Sequence, residues 1–173
     1  MAQIPDDIAK LPEIAKLSAK LGESAVLEAS VSLNDLCITI DRRSIVEAAR
    51  LLKEDAELNY KLFLDICGAD YLKLRSEPRY EVVYHIYSVT KNQTIRLKVP
   101  LQSDDPKLPS VVEVWSGAEW YEREAYDMYG IIFENHPFLH RILCHNQFEG
   151  HALRKDYPIN RRQWCDTVWD LEM

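Results

Sequence analysis

The sequence lacks any long apolar run, and this absence bears on how the chain relates to a membrane. A membrane-spanning helix requires about eighteen consecutive apolar residues, and no stretch of the 173 residues approaches that length. The first residues, Met1-Ala-Gln-Ile-Pro-Asp-Asp, are acidic and have no apolar core, and the first arginine is Arg42. These are not the features of a secretory signal or a transit peptide. The sequence therefore predicts a soluble intracellular protein that does not itself span a membrane.

Glycine is scarce, and basic residues do not outnumber acidic ones. The chain has five glycines, and none lies in a Gly-x-Gly-x-x-Gly or Gly-Lys-Ser/Thr pattern, so nucleotide binding is not expected. The net charge of −7 argues against broad nucleic-acid binding, because a polyanion repels an acidic protein. Hydrophobic residues nevertheless make up 47% of the chain, which is enough to form one ordinary globular core.

Closely spaced metal ligands are also missing. The four cysteines, at positions 37, 67, 144 and 165, form no Cys-x-x-Cys pair, so the spacing predicts free thiols and neither an iron–sulfur cluster nor a structural zinc site. Four histidines follow position 135, but Pro137 and Gly150 interrupt any helical face that they could share. His85 lies between apolar neighbours and is interpreted as a satisfied core histidine. No nucleophile–base arrangement stands out, so the sequence predicts no catalytic residue, cofactor or metal in this chain.

The residues that are present predict alternating helices and strands. Apolar residues at three- and four-residue steps predict a helix over residues 6–21, with Pro12 confining it or delaying its start. A second helix follows, with Asp41 or Ser44 as its cap. Alternating apolar residues predict five strands, near residues 25–31, 36–40, 62–67, 80–89 and 94–101. The last of these strands alternates apolar residues with Arg96 and Lys98, which is typical of a sheet with one solvated face.

A third helix carries a dense mixture of charged and aromatic residues. Ser116-x-x-Glu119 has the form of a capping box, with a tryptophan on each side, and Gly130 suits the helix end. Along the helix, Arg123 is spaced for i,i+4 ion pairs with Glu119 and Asp127. We expect Arg123, with the flanking carboxylates, to attach the helix to the loop that follows it.

These elements predict an α+β fold in which a two-layer arrangement packs helices on a mixed β-sheet of about five strands. The core domain is predicted to span residues 1–135. Residues 136–173 are predicted to form an extended irregular C-terminal segment that docks on partner proteins, because they lack periodicity and mix charge with aromatic rings. Residues 150–163 are locally basic, whereas the last ten residues are acidic.

Two sequence blocks in the C-terminal third carry a resemblance to a known family. The first contains Glu122-Arg123-Glu124, Asp127, Met128-Tyr129, His136 and then Arg141-Ile142-Leu143. The second contains Gly150-His151 and then Leu153-Arg154-Lys155-Asp156-Tyr157-Pro158. In this order they resemble the thirty-kilodalton subunit family of respiratory complex I, whose bacterial form is the C-type subunit of NADH:quinone oxidoreductase. The resemblance covers residues 60–158 well and the first 60 in outline.

The resemblance implies a non-catalytic subunit in the peripheral arm of a proton-translocating NADH:quinone oxidoreductase. FMN, iron–sulfur clusters and quinone are then expected in neighbouring subunits. The implied partners are the large quinone-site subunit, which is of the D type, and the adjacent cluster-bearing subunits. The implied location is the cytoplasmic face of the bacterial inner membrane, without a membrane span. The signature and interface residues that follow from the resemblance are Glu122, Arg123, Glu124, Asp127, His136, Arg141, Gly150, His151, Arg154, Lys155, Asp156 and Tyr157.

Three positions depart from the family pattern, and other functions remain open. His140, Phe148 and Ala152 stand where the family more often has a basic residue or proline, tryptophan, and proline, respectively. One alternative is the homologous subunit of a photosynthetic-type or hydrogenase-type complex. Another is a free-standing interaction module or a small enzyme that uses the histidine cluster.

Overall fold

The main sheet of this computed structural model has five strands. Residues 4–75 and 77–163 are described, so the acidic end predicted from residues 164–173, with Cys165, lies outside the described residues. The strands are β1 (Val26–Ser32), β2 (Asp35–Ile40), β3 (Leu62–Asp70), β4 (Tyr80–Ser88) and β5 (Gln93–Leu101). Their order across the sheet is β1-β2-β5-β4-β3, and only β2 and β5 run parallel among these neighbours. The predicted mixed sheet in an α+β fold is confirmed.

Four helices accompany the sheet in the described part of the chain: α1 (Asp6–Ala9), α2 (Pro12–Leu21), α3 (Ile45–Glu54) and α4 (Ala118–Tyr129). The predicted first helix is therefore two helices. Pro12 occupies the first turn of α2, where the missing N–H has no intrahelical partner to lose. Between β2 and α3, Asp41 caps a short 3-10 turn by accepting a hydrogen bond from the Arg43 N–H at 2.9 Å. Ser44, the other predicted cap, makes no side-chain capping bond.

The core lies between one face of the sheet and the helices. On β4, Val82, Tyr84 and Ile86 are fully buried, and on β5 the predicted apolar positions 95, 97 and 99 are fully buried. Side chains that alternate with these, such as Arg96 and Lys98, are only half-buried on the opposite face. This alternation confirms the prediction of one solvated face.

The start of α4 differs from the prediction. Gly117 is the N-cap residue and no side chain caps the helix, so the predicted capping box at Ser116 and Glu119 is wrong. The backbone already turns before the helix, since the N–H groups of Trp115 and Ala118 bond to the carbonyls of Val111 and Trp115 at 2.9 Å each. Fewer N–H groups at the start of α4 therefore need a side-chain acceptor.

Two short strands frame α4, and both fall outside the predicted set. They are β6 (Lys107–Pro109) and β7 (Ile132–Glu134), and they pair in parallel. The sequence did not indicate either strand, because three residues are too few to show an alternating pattern. Within the described residues, no helix combines the length and the apolar character that crossing a bilayer would require.

Candidate docking surface

Helix α4 positions the signature residues against the rest of the fold. Its buried side chains include Ala125 and Met128, and the helix packs mainly against β3. It ends at Gly130, which has a φ of +72° and is therefore in the left-handed conformation that glycine adopts most easily. The predicted helix end at Gly130 is confirmed. Residues 136–163, called the C-terminal segment below, fold back over this end of the helix.

Asp127 is the first anchor of the C-terminal segment. Its Oδ2 accepts hydrogen bonds from the backbone N–H groups of Ile142, Leu143 and Cys144 at 3.1, 2.8 and 2.8 Å. Its Oδ1 accepts one from Arg141 Nη1 at 2.6 Å. The Asp127 side chain is fully buried. Burial alone would raise the pKa of this carboxyl, but the three N–H groups and Arg141 outweigh burial and lower it.

Side chains from the second block of the signature form hydrogen bonds to backbone carbonyls at the end of α4. His151 Nδ1 lies 2.9 Å from the Asp127 carbonyl oxygen, so the ring donates a proton there. Burial lowers the pKa of His151, which favours the neutral ring. Arg154 Nε donates to the Tyr129 carbonyl at 2.6 Å. A Cβ on Gly130 would collide with both side chains, so a glycine at this position allows the close approach.

Asp70, at the end of β3, is a second anchor that the sequence analysis missed. Arg79 binds both of its oxygens, with Nε 3.0 Å from Oδ1 and Nη2 2.9 Å from Oδ2. The Lys155 backbone N–H donates to Oδ2 at 2.8 Å, and Asp156 pairs with Arg79 at 3.0 Å. Burial would raise the pKa of Asp70, but these hydrogen bonds lower it to about 2. A signal existed, because Asp70 and Arg79 stand at the facing ends of consecutive strands.

Glu122 and His136 form a buried polar cluster next to the first anchor. Glu122 accepts hydrogen bonds from Ser110 Oγ at 2.6 Å and from the Val111 N–H at 2.8 Å. Burial raises the pKa of Glu122 to about 7, although the two hydrogen bonds act to lower it. The His136 ring accepts a hydrogen bond from the Phe138 N–H at its Nδ1, so its Nε2 donates to the Glu119 carbonyl at 3.1 Å. His136 is therefore held by backbone groups.

Arg123 does attach the helix to the following loop, but it does not do so through carboxylates. Its Nε and Nη2 donate to the carbonyls of His140 and Arg141 at 3.2 Å each. The guanidinium also lies 5.3 and 5.2 Å from the ring centroids of Trp120 and Phe138. Among the described residues it forms no ion pair, so the predicted pairs with Glu119 and Asp127 are wrong. Asp127 is turned toward Arg141 and the loop backbone, which satisfy it completely.

The remaining signature residues lie at the surface or within the C-terminal segment. Glu124 is exposed and forms no ion pair with any residue that the structure describes. The Gly150 carbonyl accepts a hydrogen bond from Arg141 Nη2 at 3.0 Å. Tyr157 stacks on Phe148 with ring centroids 5.7 Å apart, and its hydroxyl accepts a hydrogen bond from Gln163. The structure therefore brings most of the predicted residues into one connected network around α4.

The C-terminal segment is held firmly but leaves large apolar side chains uncovered. Its exposed members are Phe138 (47%), Leu143 (63%), Leu153 (48%) and Ile159 (104% of the reference exposure). The four histidines do not converge on a common point, and none belongs to the metal-ligand cluster found among the described residues. The buried charged groups Asp127 and Asp70 therefore have partners within the fold, whereas the large apolar side chains of this surface are exposed.

Both the sequence and the fold are similar to those of known proteins. Residues 38–163 match the family model described as the 30 kDa subunit of respiratory-chain NADH dehydrogenase. The C-type subunit of NADH-quinone oxidoreductase from Roseiflexus castenholzii is 43% identical over 89% of this chain and 87% of its own length. The corresponding protein of Xanthobacter autotrophicus, which has the same name, is 46% identical over 83% of this chain and 67% of its own length.

Two solved structures share the fold. A trypsin-resistant fragment of Nqo5 superposes with a TM-score of 0.62 at 27% identity, covering 73% of this chain and 99% of the fragment. A chain of the membrane-bound sulfane sulfur reductase, an archaeal respiratory membrane complex, superposes with a TM-score of 0.66 at 28% identity. That match covers 86% of this chain and 85% of the other.

Proposed function

Because the chain belongs to the family of the 30 kDa subunit of respiratory-chain NADH dehydrogenase, we propose that it is a scaffolding component of that complex. It is a homologue of the C-type subunit of NADH-quinone oxidoreductase, and the enzyme is an oxidoreductase. In this proposal the chain contributes no catalytic residue. Its role is to hold neighbouring subunits in a geometry that permits electron transfer. The photosynthetic-type and hydrogenase-type alternatives are not favoured, since the curated relatives carry the NADH-quinone name.

One observation carries the proposal: the C-terminal segment is fixed to its own fold while its apolar side chains remain exposed. Asp127 and Asp70 bind its backbone at two separate points, near Leu143 and at Lys155. A segment that is already ordered loses little conformational entropy when it binds a partner. Exposed apolar groups on an ordered surface are typical of an interface. The segment is thus a preformed docking surface.

The occupant of this surface is proposed to be the large quinone-site subunit of the D type, with the cluster-bearing subunits adjacent to it. FMN, iron–sulfur clusters and quinone would then belong to those subunits. Lys155, Arg161 and Arg162 are exposed on the segment, and Arg161 pairs with Glu149 at 2.6 Å. The local excess of positive charge in residues 150–163 favours a partner surface with acidic residues. The complex would lie at the cytoplasmic face of the bacterial inner membrane, with this chain at its periphery.

The experiment that tests the proposal replaces exposed leucines of the docking surface by glutamate. Burying one leucine stabilises a contact by about 1.5–3 kcal/mol, so Leu143→Glu and Leu153→Glu should each weaken association with the partner by roughly 10–100-fold. The variants are co-expressed with the other subunits, and assembly is measured by native gel and by size-exclusion chromatography. Quinone reduction should fall in proportion to assembly, with unchanged activity for each assembled complex.

Val89→Glu is the matched control, because Val89 is 70% exposed but lies in the hairpin between β4 and β5. It should assemble like the parent. Normal assembly of both leucine variants would contradict the proposed surface. Loss of activity in fully assembled complexes would contradict the non-catalytic role.

A further inference from the structure

Three side chains with different metal-ligating atoms converge on the sheet face opposite the helices. Asp65 and Cys67 lie two residues apart on β3 and therefore on the same face. His85 on β4 pairs directly with Asp65 in the antiparallel register. One ligand atom from each side chain lies within 4.8 Å of the other two. Ligands that each lie about 2.0–2.3 Å from a tetrahedral Zn²⁺ are roughly 3–4 Å from one another, a spacing close to that of these three atoms.

Two features of the cluster are those of a cation-binding site. The Cys67 Sγ–H donates to Asp65 Oδ2 at 2.9 Å, so the thiol already faces the carboxylate. His85 Nδ1 is shielded from solvent and has no hydrogen-bond partner among the described residues. The prediction that His85 is a satisfied core histidine is therefore wrong. Shielded polar atoms normally have partners, and coordination of a cation would supply one.

The charge around the cluster permits a cation. Two basic residues of β5 lie on this face, with Arg96 paired in register with His85 and Lys98 paired with Val83. The Arg96 guanidinium is engaged by Asp35, with Nη2 2.5 Å from Oδ2, on the side of the sheet away from β3. Cys67 is exposed, so an ion from solution can reach the cluster.

We propose that Asp65, Cys67 and His85 bind one Zn²⁺ ion through an oxygen, a sulfur and a nitrogen, with the fourth position open to water. This ligand set excludes Mg²⁺ and Ca²⁺, which prefer six or more oxygen ligands. On binding, the Cys67 thiol loses its proton to solvent, and the thiolate sulfur and the Asp65 oxygen both turn to the metal. The site is separate from the docking surface, because it lies on two strands of the exposed sheet face.

The test is metal titration of the untagged full-length chain after dialysis against a chelator. Zn²⁺ is titrated in competition with a chromophoric chelator, and Co²⁺ is titrated in parallel. We expect one ion per chain and a sulfur-to-cobalt charge-transfer absorption. Cys67→Ser and His85→Gln should each weaken Zn²⁺ binding by more than about 100-fold. Loss of a residue that only hydrogen-bonds to a metal ligand weakens binding by about 10–100-fold, so a larger loss identifies Cys67 and His85 as ligands.

His145→Gln and Cys144→Ser are matched controls outside the cluster, and both should bind Zn²⁺ like the parent. Circular dichroism of every variant checks that the chain is folded. If Cys67→Ser does not fold, the comparison of Zn²⁺ affinity rests on His85→Gln. Absence of binding of both metals to the folded parent would overturn the proposal. Equal Zn²⁺ affinity in the parent and both cluster variants, or charge-transfer absorption that survives in Cys67→Ser, would also overturn it.

Discussion

Replacing Asp127 by asparagine should release the C-terminal segment from the end of α4. Asparagine keeps the shape of the side chain but has one acceptor oxygen instead of two, and it carries no charge. In the native structure the two oxygens serve three backbone N–H groups and one guanidinium. The amide NH₂ of asparagine must face either the N–H groups or Arg141, and both are donors. One set of hydrogen bonds is therefore lost and replaced by a repulsive contact.

The magnitude follows from the burial of the two partners. Removing one member of a buried ion pair costs about 3–5 kcal/mol. The Asp127 side chain is fully buried, whereas Arg141 is 17% exposed and can recover some hydration. We therefore expect a cost near the lower limit, about 3 kcal/mol. Because about 1.4 kcal/mol corresponds to a factor of ten, opening of the segment should become roughly 100-fold more frequent.

Hydrogen exchange measured by mass spectrometry can follow this opening directly. In Asp127→Asn, the amides of residues 142–144 should exchange roughly 100-fold faster, whereas the amides of β4 and β5 should keep their protection. Glu124→Gln is the matched control, since Glu124 is an exposed carboxylate on the same helix without an ion pair among the described residues. Its exchange should equal that of the parent.

The sign of the pH dependence gives an independent check. The pKa of Asp127 is lowered from 3.8, so its stabilisation is complete above pH 3.8 and disappears as the pH falls through the folded-state pKa. The difference between parent and Asp127→Asn should therefore stay constant from about pH 5 to about pH 8. Unchanged exchange at residues 142–144 in the variant would refute the idea that Asp127 anchors the segment.

Two further predictions concern the packing of α4. Burial raises the pKa of Glu122 from 4.5 to about 7, and this difference of about 2.5 corresponds to roughly 3 kcal/mol. The folded state favours protonated Glu122, so the parent loses stability as the pH rises. In urea unfolding, the free energy of unfolding of Glu122→Gln should therefore rise relative to the parent by up to roughly 3 kcal/mol between about pH 5 and about pH 8. A gain independent of pH would contradict this reasoning. A Cβ on Gly68 would lie 2.5 Å from Tyr129 Cδ2, so Gly68→Ala should destabilise by about 1–3 kcal/mol. Addition of Tyr129→Leu should restore part of that stability in a double-mutant cycle, and strict additivity would show that the ring is not the cause.

The sequence predicted the fold class and the family. The structure confirms the fold class, and the comparisons confirm the family. Strand β5 shows why this was possible: alternation of apolar residues with Arg96 and Lys98 is visible within a few residues of chain. Position-specific signals such as Gly130 at the end of α4 are equally local. The role of the signature residues at a partner interface stays a prediction.

The sequence did not predict which groups the charged side chains would bind. The spacing of Arg123 and Asp127 on one helix favoured an ion pair between them, but each side chain binds the loop that returns over the helix. The capping box at Ser116 failed for a related reason, because the preceding backbone already turns into the helix. Nothing local indicated that Asp70 would receive the Lys155 N–H from 85 residues away.

The sequence by itself determined the five strands of the main sheet, the longer helices, the buried face of the sheet and the family. Periodicity and turn preferences act between residues a few positions apart, so they can be recognised along the chain. Only the tertiary structure decided that Asp127 and Asp70 hold the C-terminal segment, and that Asp65, Cys67 and His85 meet across two strands. A buried carboxylate binds whichever donors the folded chain brings within about 3 Å, and those donors lie far away in sequence.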